Sequence, residues 1–471
     1  MSTTVAHKEI CNWWDGKVII DEVREFTDTR GSLIETWRTD EDKYAASVPK
    51  MSYSSFSNPF IMRGPHQHKD QTDWFYTFKN KMVYHLYNPD TKEMKVHFTD
   101  PTKVTRVKVA PPIIHSYRNL ENFQIFTSNF PTSLFMGENK KEEIDEIRHE
   151  HKFGDNRTYV ILGANGRLGK AITKTFFDKM GFHTYDVVPV DRKINSIDDI
   201  VRLYGELETA FKDEKGKKHN RDVCVINCAA FANVQEADKY KDVLEWVNTQ
   251  MPFQLATECA KRDWRFIQFS TDYVYQSVRD GDFYEELGAY TQSKIKMEEL
   301  FAKAPLARIK TTHILRVANL YSEDPADLHT IVGKFNKIVK NLDAEGKVRL
   351  VDNISVMPTN VRWVAEMLHR GLVVGEYRYH NLAPKYTFDK YSFVQGHRYS
   401  YIANVVPNNR YSLVDFVKRF FNVPDDKIDI RSVNRHNWVN AFESEGPTIE
   451  LDADQSEIVE LIKKMNTPQQ S

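Results

Sequence analysis

The chain has 471 residues, of which 41% are hydrophobic and 28% charged, and its 65 basic side chains nearly balance its 66 acidic ones. Domains usually contain roughly 100 to 200 residues, so this length excludes a single small module and predicts two or three domains. The net charge of −1 excludes a global field that attracts polyanions. No local basic patch stands out, and we expect no nucleic-acid partner.

Hydrophobic runs are short throughout the chain. None approaches the roughly 20 apolar residues of a membrane span, and Met1 to Ile20 has no apolar block typical of a signal peptide. We therefore expect a cytoplasmic protein with no membrane partner. The four cysteines form no CxxC pair, which favours reduced thiols over a disulfide or a zinc site; they are Cys11, Cys224, Cys228 and Cys259.

The first part of the chain, from Val18 to about Met136, has short alternating apolar segments separated by Pro, Asn, Asp and Gly. Lys81 to Tyr87 and Val104 to Val109 are two examples. Alternation with a period of two predicts β-strands, so this part is expected to be an all-β domain. The next stretch, Gly137 to Arg157, carries 12 charged residues in 21, which predicts a solvated connector or an exposed helix.

From Tyr159 onward, strand-like apolar runs alternate with longer helical patterns, as repeated βα units require. The runs are Tyr159 to Leu162, Val187 to Val190, Val223 to Cys228, Arg265 to Phe269 and Thr312 to Val317. This alternation predicts a Rossmann-type, doubly wound parallel sheet covered by helices. We place the boundary near Gly154, which gives domains at 1–153 and 154–471.

A glycine-rich turn follows the first of these strands and contains Gly163, Gly166 and Gly169. Glycines allow a tight turn and close approach of the backbone to a ligand. The helix that the pattern predicts next would offer free N–H groups to a pyrophosphate. The turn alone is weak evidence, but its place between a strand and a helix predicts a dinucleotide site.

Two charged residues follow the second predicted strand. Asp191 could accept hydrogen bonds from an adenosine ribose, or it could simply end the strand. Arg192 beside it could instead bind a 2′-phosphate. The choice between NADPH and NADH as cofactor therefore stays open.

A Ser-Thr strand end and a Tyr-Lys pair come later in the chain. Tyr290 and Lys294 are four residues apart, so on a helix they share a face. A lysine ammonium beside a phenol favours its ionised form, so Tyr290 could pass a proton to a carbonyl oxygen as hydride arrives. Thr271 would supply a second hydrogen bond. This set favours a carbonyl reductase over a regulatory protein that only binds a nucleotide, because binding does not need the acid.

Eight segments of this part stand out: GANGRLGKA (163–171), VDR (190–192), NCAAFANVQEAD (227–238), VNTQ (247–250), STDYVY (270–275), YTQSK (290–294), LRVANLY (315–321) and MPT (357–359). Together they resemble the extended short-chain dehydrogenase/reductases, and within that family the dTDP-4-dehydrorhamnose reductases. Residues 376–405 fit the pattern poorly and look like an insertion before the helix-like Ser412 to Phe421.

The resemblance implies functional roles for individual residues. It implies that Thr271, Tyr290 and Lys294 are catalytic. It also implies cofactor contacts from the glycine turn, from the strand ends and from the catalytic pair: Gly163, Asn165, Gly166, Arg167, Leu168, Gly169, Asp191, Arg192, Ala229, Ala230, Tyr290 and Lys294.

In the first domain, three segments read FTDTRGSLIE (26–35), SSFSNPFIMRGPHQH (54–68) and PPIIHSYRN (111–119). They resemble the dTDP-4-dehydrorhamnose 3,5-epimerases, which have the cupin fold. Two departures concern catalysis. The lysine that this family has downstream of its catalytic histidine is not evident in QTDWFY (71–76), and NFPTSLF (129–135) displaces its proton-donating tyrosine.

The epimerase resemblance implies a site without a metal. His66 would be the base, because a neutral imidazole can remove a proton α to a ketone. Arg30 and Arg63 would bind the nucleotide phosphates, and Glu35 would contact the substrate. Asp145 is a possible acidic partner for the base on spacing alone. The resemblance further implies a homodimer formed through this domain.

Other interpretations use nearly the same residues. His66, His68, Asp73 and His115 approximate the ligand spacing of metal-binding cupins. Three imidazoles and a carboxylate would suit iron, manganese, nickel or zinc. The domain could also be inactive, with His68 and His115 as hydrogen-bonded barrel residues.

The two resemblances fit one reaction sequence, because a 3,5-epimerase makes the substrate that a 4-ketoreductase consumes. We therefore predict a bifunctional enzyme that converts NDP-4-dehydro-6-deoxy-D-glucose to NDP-L-rhamnose with NADPH or NADH. The sequence leaves dTDP and UDP open as the nucleotide.

Overall fold

The structure is a computed structural model that describes residues 7–37, 48–138, 145–149, 157–181, 185–212, 221–276, 288–305, 307, 312–342, 346–351, 355–374, 402–407, 409–431, 448–451 and 453–467. The chain divides into two compact units. The first unit is drawn from residues 1–158, 180–192 and 202–221, and the second from 159–179, 193–201 and 222–471. The expected boundary near Gly154 lies outside the described residues and stays a prediction.

Antiparallel strands build residues 7–149 of the first unit. They are β1 (Lys8–Trp13), β2 (Val18–Glu22), β3 (Glu25–Asp28), β4 (Gly31–Ile34), β5 (Tyr53–Ser57), β6 (Met62–Gln67), β7 (Asp73–Phe78), β8 (Met82–Asn88), β9 (Glu93–Phe98), β10 (Val104–Val109), β11 (Ile114–Asn119), β12 (Ile125–Asn129) and β13 (Ile147–Arg148). One sheet has the order β1-β2-β10-β7-β12-β5 and another the order β13-β6-β11-β8-β9, while β3 and β4 form a separate hairpin. The predicted all-β class of this part is confirmed.

The two larger sheets share one hydrophobic core. Val107 of β10 and Phe75 of β7 pack in the same buried cluster as Leu86 of β8 and Tyr117 of β11. Successive side chains of a strand point to opposite faces, so the alternation in the sequence turns one face of each strand toward this core. Strand β10 has the predicted bounds, and β8 begins one residue later than predicted.

Strands and helices follow from residue 157 onward. The strands are β14 (Arg157–Leu162), β15 (Asp186–Val190), β16 (Asp222–Asn227), β17 (Arg265–Thr271), β18 (Thr312–Val317), β19 (Leu320–Tyr321), β20 (Val348–Val351), β21 (Ser355–Val356), β22 (Thr359–Asn360), β23 (Ile402–Pro407), β24 (Tyr411–Ser412), β25 (Ile428–Arg431) and β26 (Thr448–Leu451). The main sheet has the order β15-β14-β16-β17-β18-β23-β26. Its pairs from β16 to β26 are parallel, which confirms the predicted α/β class.

The helices alternate with these strands. They are α1 (Arg167–Asp178), α2 (Ile197–Ala210), α3 (Lys241–Leu244), α4 (Met251–Lys261), α5 (Ala289–Lys303), α6 (Ile331–Lys340), α7 (Val361–His369), α8 (Leu413–Phe421) and α9 (Ser456–Asn466), with short 3-10 segments at Ala237–Lys239, Asp272–Gln276 and Asp425–Lys427 and π-helical segments at Glu245–Gln250 and Arg370–Val374. The helix predicted at Ser412 to Phe421 is present. The Ser412 side chain caps its first turn by accepting a hydrogen bond from the Asp415 N–H at 2.9 Å.

Two expectations about connecting segments are wrong in part. Residues 402–405 were assigned to an insertion, but they belong to β23, whose apolar run IANVVP pairs with β18 inside the sheet. The highly charged connector contains β13, which pairs with His66 and Gln67 of β6 and is therefore neither loop nor helix. The remainder of the insertion, residues 376–401, lies outside the described residues, as do residues 139–144 and 150–156 of the connector.

Two further expectations concern cysteines and membranes. All four cysteines are free thiols. Cys224 is buried in β16, whereas Cys228, directly after that strand, is half-buried. Among the described helices, none has both the length and the apolar character needed to cross a bilayer.

Candidate active sites

The glycine turn joins β14 to α1 in the second unit. Gly163 has a φ of +69°, which a residue with a side chain adopts only with strain. The Gly166 N–H donates to the Gly163 carbonyl at 3.0 Å and closes the turn, and α1 begins at the next residue. The predicted strand, turn and helix N-terminus are therefore all present.

The three glycines differ in what surrounds them. A Cβ at Gly163 would lie 2.8 Å from the Ala229 backbone nitrogen, and one at Gly169 would lie 2.9 Å from the Ala164 Cα. These two positions are closed by the protein itself. A Cβ at Gly166 would meet only the Gly163 carbonyl oxygen at 3.3 Å, so the space in front of Gly166 is open. The turn thus fits a dinucleotide phosphate, because it offers open space beside a helix N-terminus.

The other predicted cofactor-binding residues of this turn differ in their burial and their contacts. Leu168 is buried in the hydrophobic core, so its side chain packs inside the protein, and Asn165 is exposed. Arg167 is held by Asp327, with nitrogen to oxygen distances of 2.5 and 2.8 Å. Only the backbone of Leu168 is therefore available for the predicted cofactor contact.

The carboxyl ends of β16 and β17 lie at the same edge of the sheet as the glycine turn. The Ala229 N–H follows β16 and donates to the Asn227 side chain at 3.2 Å, and Ala230 after it is exposed. Strand β16 lies between β14 and β17, so the glycine turn, Ala229 and Thr271 lie at the carboxyl ends of adjacent strands. Ligands of open α/β sheets bind at this edge.

Asp191 and Arg192 follow β15 and belong to the first unit. The Arg192 guanidinium forms an ion pair with Glu206 at 2.8 Å, and its side chain is only 9% exposed. The predicted contacts of Asp191 with an adenosine ribose and of Arg192 with a 2′-phosphate stay predictions.

Thr271 and Tyr290 are brought together from two elements. Thr271 is the last residue of β17, and Tyr290 lies in the first turn of α5. Burial raises the pKa of the Tyr290 phenol, and a polar interaction with the Thr271 side chain opposes that rise. The ring of Tyr273 meets that of Tyr290 edge-on with centroids 6.1 Å apart.

Lys294 lies one turn after Tyr290 on the same helix, as predicted. Its side chain is 3% exposed, and its ammonium donates to the Phe269 carbonyl at 3.2 Å. Burial lowers the pKa of Lys294 to about 8, while the carboxylate of Glu298 opposes this shift.

The expected lowering of the phenol pKa is not seen. Burial raises the pKa of Tyr290 above its usual value, and the nearby Tyr273 and Asp272 act in the same direction. Lys294 gives its hydrogen bond to the Phe269 carbonyl, so the phenol lacks the stabilisation that the sequence argument assumed. Tyr290 is therefore protonated at neutral pH, as a proton donor requires.

Asp272 is a buried carboxyl group that the sequence argument passed over. Its Oδ1 lies 3.0 Å from the Thr271 hydroxyl, and burial raises its pKa to about 7. The STDYVY motif contained this residue, but only its place beside Thr271 in the fold indicates a role.

A second set of missed residues holds α5 in place. The Asn248 side chain donates to the Phe231 carbonyl at 3.0 Å and to the Ser293 hydroxyl at 3.1 Å. The Ser293 hydroxyl in turn donates to the Tyr290 carbonyl at 2.7 Å. The VNTQ segment was recognised without a role, and here Asn248 positions the helix that carries Tyr290 and Lys294.

In the first unit, His66 and His115 lie opposite each other on two adjacent strands. They are register partners in the antiparallel pair of β6 and β11, and their rings lie 4.4 Å apart. Gly64 makes this approach possible, because a Cβ there would lie 2.6 Å from the His115 carbonyl oxygen. The glycine of the R-G-x-H segment is thus required by packing.

Asp73, at the start of β7, joins the histidines from the other sheet. Its Oδ2 lies 3.1 Å from the His68 Nε2 and 3.5 Å from the His115 Nε2. One ligand atom from each of His66, His68, Asp73 and His115 lies within 4.8 Å of the others. The structure therefore brings together all four residues of the metal-cupin interpretation.

Electrostatics differ among these groups. Burial and the neighbouring His115 and His68 lower the pKa of His66 to about 2, so its imidazole is neutral. Burial alone would lower the pKa of His68, but the Asp73 carboxylate raises it. Burial alone would raise the pKa of Asp73, but the imidazoles of His115 and His68 hold it below its usual value.

The acid beside His66 is Glu146, not Asp145. The His66 Nδ1 lies 3.9 Å from the Glu146 Oε1. The Asp145 carboxylate instead accepts the backbone N–H groups of Lys69, Asp70 and Gln71 at 2.9 to 3.1 Å. Spacing pointed to the right segment, but the pairing of β13 with β6 decides which of the two acids reaches the histidine.

The predicted substrate-binding residues lie in different surroundings. Arg63 is exposed, and its guanidinium donates to the Ser57 hydroxyl at 3.0 Å and to the Phe56 carbonyl at 2.9 Å. Arg30 lies on the β3–β4 hairpin with an 88% exposed side chain that pairs with Asp28 at 2.5 Å. Glu35 follows that hairpin and is half-buried. Their roles in substrate binding stay predictions.

Tyr53 is a further polar group of this site that sequence reasoning missed. The Asn129 amide donates to the Tyr53 hydroxyl at 2.8 Å and to the Asp73 Oδ1 at 2.7 Å. Tyr53 lies on β5, far from the displaced tyrosine segment in sequence. It supplies a phenol near the cluster from a different strand.

Comparisons with known proteins find matches to different parts of the chain. Residues 157–381 match the RmlD substrate-binding domain family. This match covers slightly less than half of the chain and includes the Gly163 turn, Thr271, Tyr290 and Lys294. The RmlD-like region therefore contains every catalytic candidate of the second unit.

Individual relatives match each part. A dTDP-4-dehydrorhamnose reductase of Mycobacterium tuberculosis is 35% identical over 230 residues, 46% of this chain and 66% of that protein. The probable low-salt glycan biosynthesis epimerase Agl13 of Haloferax volcanii is 28% identical over 131 residues, 26% of this chain and 83% of that protein. A solved dTDP-4-dehydrorhamnose reductase of Bacillus anthracis, in complex with NADP, covers 67% of this chain and 99% of its own at 18% identity and a TM-score of 0.42. The predicted resemblance to reductases and epimerases is confirmed.

Proposed function

We propose that the chain is a bifunctional nucleotide-sugar enzyme that epimerises an NDP-4-dehydro-6-deoxy-D-glucose at C3 and C5 and then reduces its C4 ketone to give an NDP-L-rhamnose. The observation that carries the proposal is the convergence of Thr271, Tyr290 and Lys294 at the strand edge that also bears the glycine turn. The epimerase-like first unit adds a half-buried neutral histidine, which is the kind of base that the first reaction needs.

For the reduction, the Gly163 turn would hold the pyrophosphate of NADPH or NADH, which supplies a hydride when bound. Tyr290 is protonated and would donate its phenolic proton to the C4 oxygen. The Thr271 hydroxyl would hold that oxygen, and the Lys294 ammonium would stabilise the phenolate left behind. The fixed position of α5, held by Asn248 through Ser293, keeps the acid and the lysine in register.

For the epimerisation, His66 would remove the protons next to the ketone, since its neutral ring has a free electron pair. Glu146, 3.9 Å away, would stabilise the imidazolium formed. Arg30, Arg63 and Glu35 are the proposed contacts with the nucleotide sugar, and a homodimer formed through this unit stays a prediction.

One incubation tests both halves. The full chain is mixed in D₂O with dTDP- or UDP-linked 4-keto-6-deoxyglucose, with NADPH, NADH or no cofactor, and products are resolved by sugar stereochemistry. We expect deuterium at C3 and C5 without any cofactor, and an L-rhamnose product with one of the two cofactors. An unchanged sugar in every mixture would overturn the proposal. A reduced sugar that keeps its D-configuration would leave only the reductase.

A further inference from the structure

We propose that His68, His115 and Asp73 form a binding site for one divalent transition-metal ion in the first unit. This site goes beyond the two proposed reactions. The proposal stands on the hydrogen bonds that fix each ring, on the burial of the three groups and on their separations.

Main-chain carbonyls fix the tautomer of both histidines. The His115 Nδ1 lies 3.1 Å from the Ile113 carbonyl oxygen, and the His68 Nδ1 contacts the Asp145 carbonyl oxygen. A carbonyl oxygen only accepts hydrogen bonds, so each Nδ1 carries the hydrogen. When both rings are neutral, each Nε2 atom presents an electron pair, and a metal ion competes there with the proton that the Asp73 carboxylate favours on His68. Histidines that bind metals are typically held by such a second hydrogen bond.

Gln71 supports this assignment for His68. Its side-chain nitrogen lies 2.9 Å from the Asp73 Oδ1, which identifies the donor end of the amide. The same nitrogen lies 3.3 Å from the His68 Nε2. The amide can donate to the His68 Nε2 when the ring is neutral, whereas a protonated Nε2 would donate to the Asp73 Oδ2 at 3.1 Å. A metal ion bound at the Nε2 therefore takes the place of that proton.

Three electron-pair donors therefore converge in a buried space. The Asp73 Oδ2 faces the His68 Nε2 at 3.1 Å and the His115 Nε2 at 3.5 Å, and the two most buried residues are 1% and 2% exposed. Within the described residues, neither that oxygen nor the His115 Nε2 has a hydrogen bond. Leaving such atoms without a positive partner is costly.

A metal ion would satisfy all three atoms at once. Ligands about 2.0–2.2 Å from a metal are themselves roughly 3 to 4 Å apart, which matches the observed separations. Two imidazoles and one carboxylate are ligands for divalent iron, manganese, cobalt, nickel or zinc, and they leave coordination positions open.

His66 differs from the other two histidines. No carbonyl fixes its tautomer among the described contacts, and its Nδ1 faces the Glu146 carboxylate at 3.9 Å. A ring nitrogen of His66 nevertheless lies within 4.8 Å of the proposed ligand atoms. His66 thus borders the metal site and stays available as the proposed base.

A metal ion at this site would also take the place of the lysine that the epimerase resemblance leads us to expect. This role rests on the proposed epimerisation. The lysine expected in residues 71–76 is absent from that segment. When His66 takes the proton from carbon, the electron pair of the broken C–H bond moves to the ketone oxygen. A cation at an open position next to His66 would stabilise the negative charge formed there.

The test uses the full chain, treated with a chelator and then freed of it. Co²⁺ alone is titrated in, while visible absorption and metal content per chain are measured. We expect one Co²⁺ per chain with d–d absorption bands, and a metal-dependent rise of the unfolding temperature. His68→Gln and His115→Gln should each weaken binding by roughly a hundredfold. His97→Gln, the same change on β9 outside the cluster, should bind as the wild type does.

Circular dichroism first establishes that each variant is folded, and Asp73→Asn provides a third ligand change. Failure of the wild-type chain to bind Co²⁺ saturably would overturn the proposal. Unchanged affinity in both His68→Gln and His115→Gln would overturn it as well. Binding is measured without any sugar, so loss of deuterium exchange with intact metal binding would count against the epimerisation and not against the metal site.

Discussion

In the second unit, the three catalytic candidates come from two elements, with Thr271 at the end of β17 and Tyr290 and Lys294 one turn apart on α5. In the first unit, the polar cluster draws His66 and His115 from one sheet and Asp73 from the other. The second arrangement depends on the pairing of strands that are distant in sequence. The difference teaches that residues four apart on a helix lie side by side through local geometry alone, whereas the proximity of the histidines and Asp73 depends on which strands pair.

The proposed acid of the second unit gives the sharpest test of this comparison. Tyr290→Phe removes the transferable proton and keeps the ring, so the rate of ketone reduction should fall by about a hundredfold to ten-thousandfold. Deuterium exchange at C3 and C5 should be unchanged, because it belongs to the other unit. Tyr240→Phe, at a tyrosine that is 46% exposed, is the matched control. Near-normal reduction by the Tyr290 variant would remove this residue from the mechanism.

The corresponding substitution in the first unit replaces the proposed base of epimerisation. His66→Asn should slow deuterium exchange by about a hundredfold or more, because it removes the base. Reduction of a substrate that is already epimerised should continue at the wild-type rate. His97→Asn controls for the loss of a histidine elsewhere in the same unit. Exchange that survives in the His66 variant would point to another base.

A substitution in the glycine turn should have an effect of intermediate size, on the affinity for the cofactor. Gly166→Leu should weaken binding of NADPH or NADH by roughly tenfold or more, which corresponds to about 1.4 kcal/mol. Gly166 has a φ of −69° and open space before it, so the fold tolerates the side chain while the ligand loses room. Gly205→Leu adds the same bulk at an exposed position of α2. Calorimetry on the folded variants gives the affinities, and equal values for both would show that the turn does not hold the cofactor.

Asp272 should produce the smallest effect, visible as a pH dependence of stability. The folded chain holds this proton up to a pKa of about 7, whereas an unfolded Asp releases it near pH 4, so the folded state binds more protons at neutral pH. Stability should therefore fall with rising pH, by about 1.4 kcal/mol between pH 6 and pH 8. Denaturant unfolding of the wild type and of Asp272→Asn measures this as a loss of stability of the wild type relative to the variant, about 1.4 kcal/mol between pH 6 and pH 8, because Asn does not titrate. A difference that stays constant over this range would mean that Asp272 is ionised throughout.

Much of the fold follows from local pattern. The alternation at Val104 to Val109 and the apolar run at Thr312 to Val317 give the bounds of β10 and β18 directly. The errors have a common cause. Strands β13 and β23 exist because a partner strand accepts their hydrogen bonds, and a charged segment or an apparent insertion gives no sign of that partner.

The candidate sites follow the same rule. The four-residue spacing of Tyr290 and Lys294 placed both residues correctly, but the environment of the phenol was wrong because burial and the Phe269 carbonyl are tertiary features. Asp272 and Asn248 stood in recognised motifs without an assigned role. Glu146 was missed because the acid that reaches His66 depends on the register of a two-residue strand.

The three backbone N–H groups that converge on Asp145 tie the end of the connector to the loop directly after His68. The carbonyl of the same residue orients the His68 ring. A chain that ends before residue 145 would therefore lose the three hydrogen bonds that hold this loop and the contact that orients the His68 ring. Every β-strand up to Asn129 would remain. Any truncated chain meant to keep the surroundings of His68 should therefore extend through at least His149.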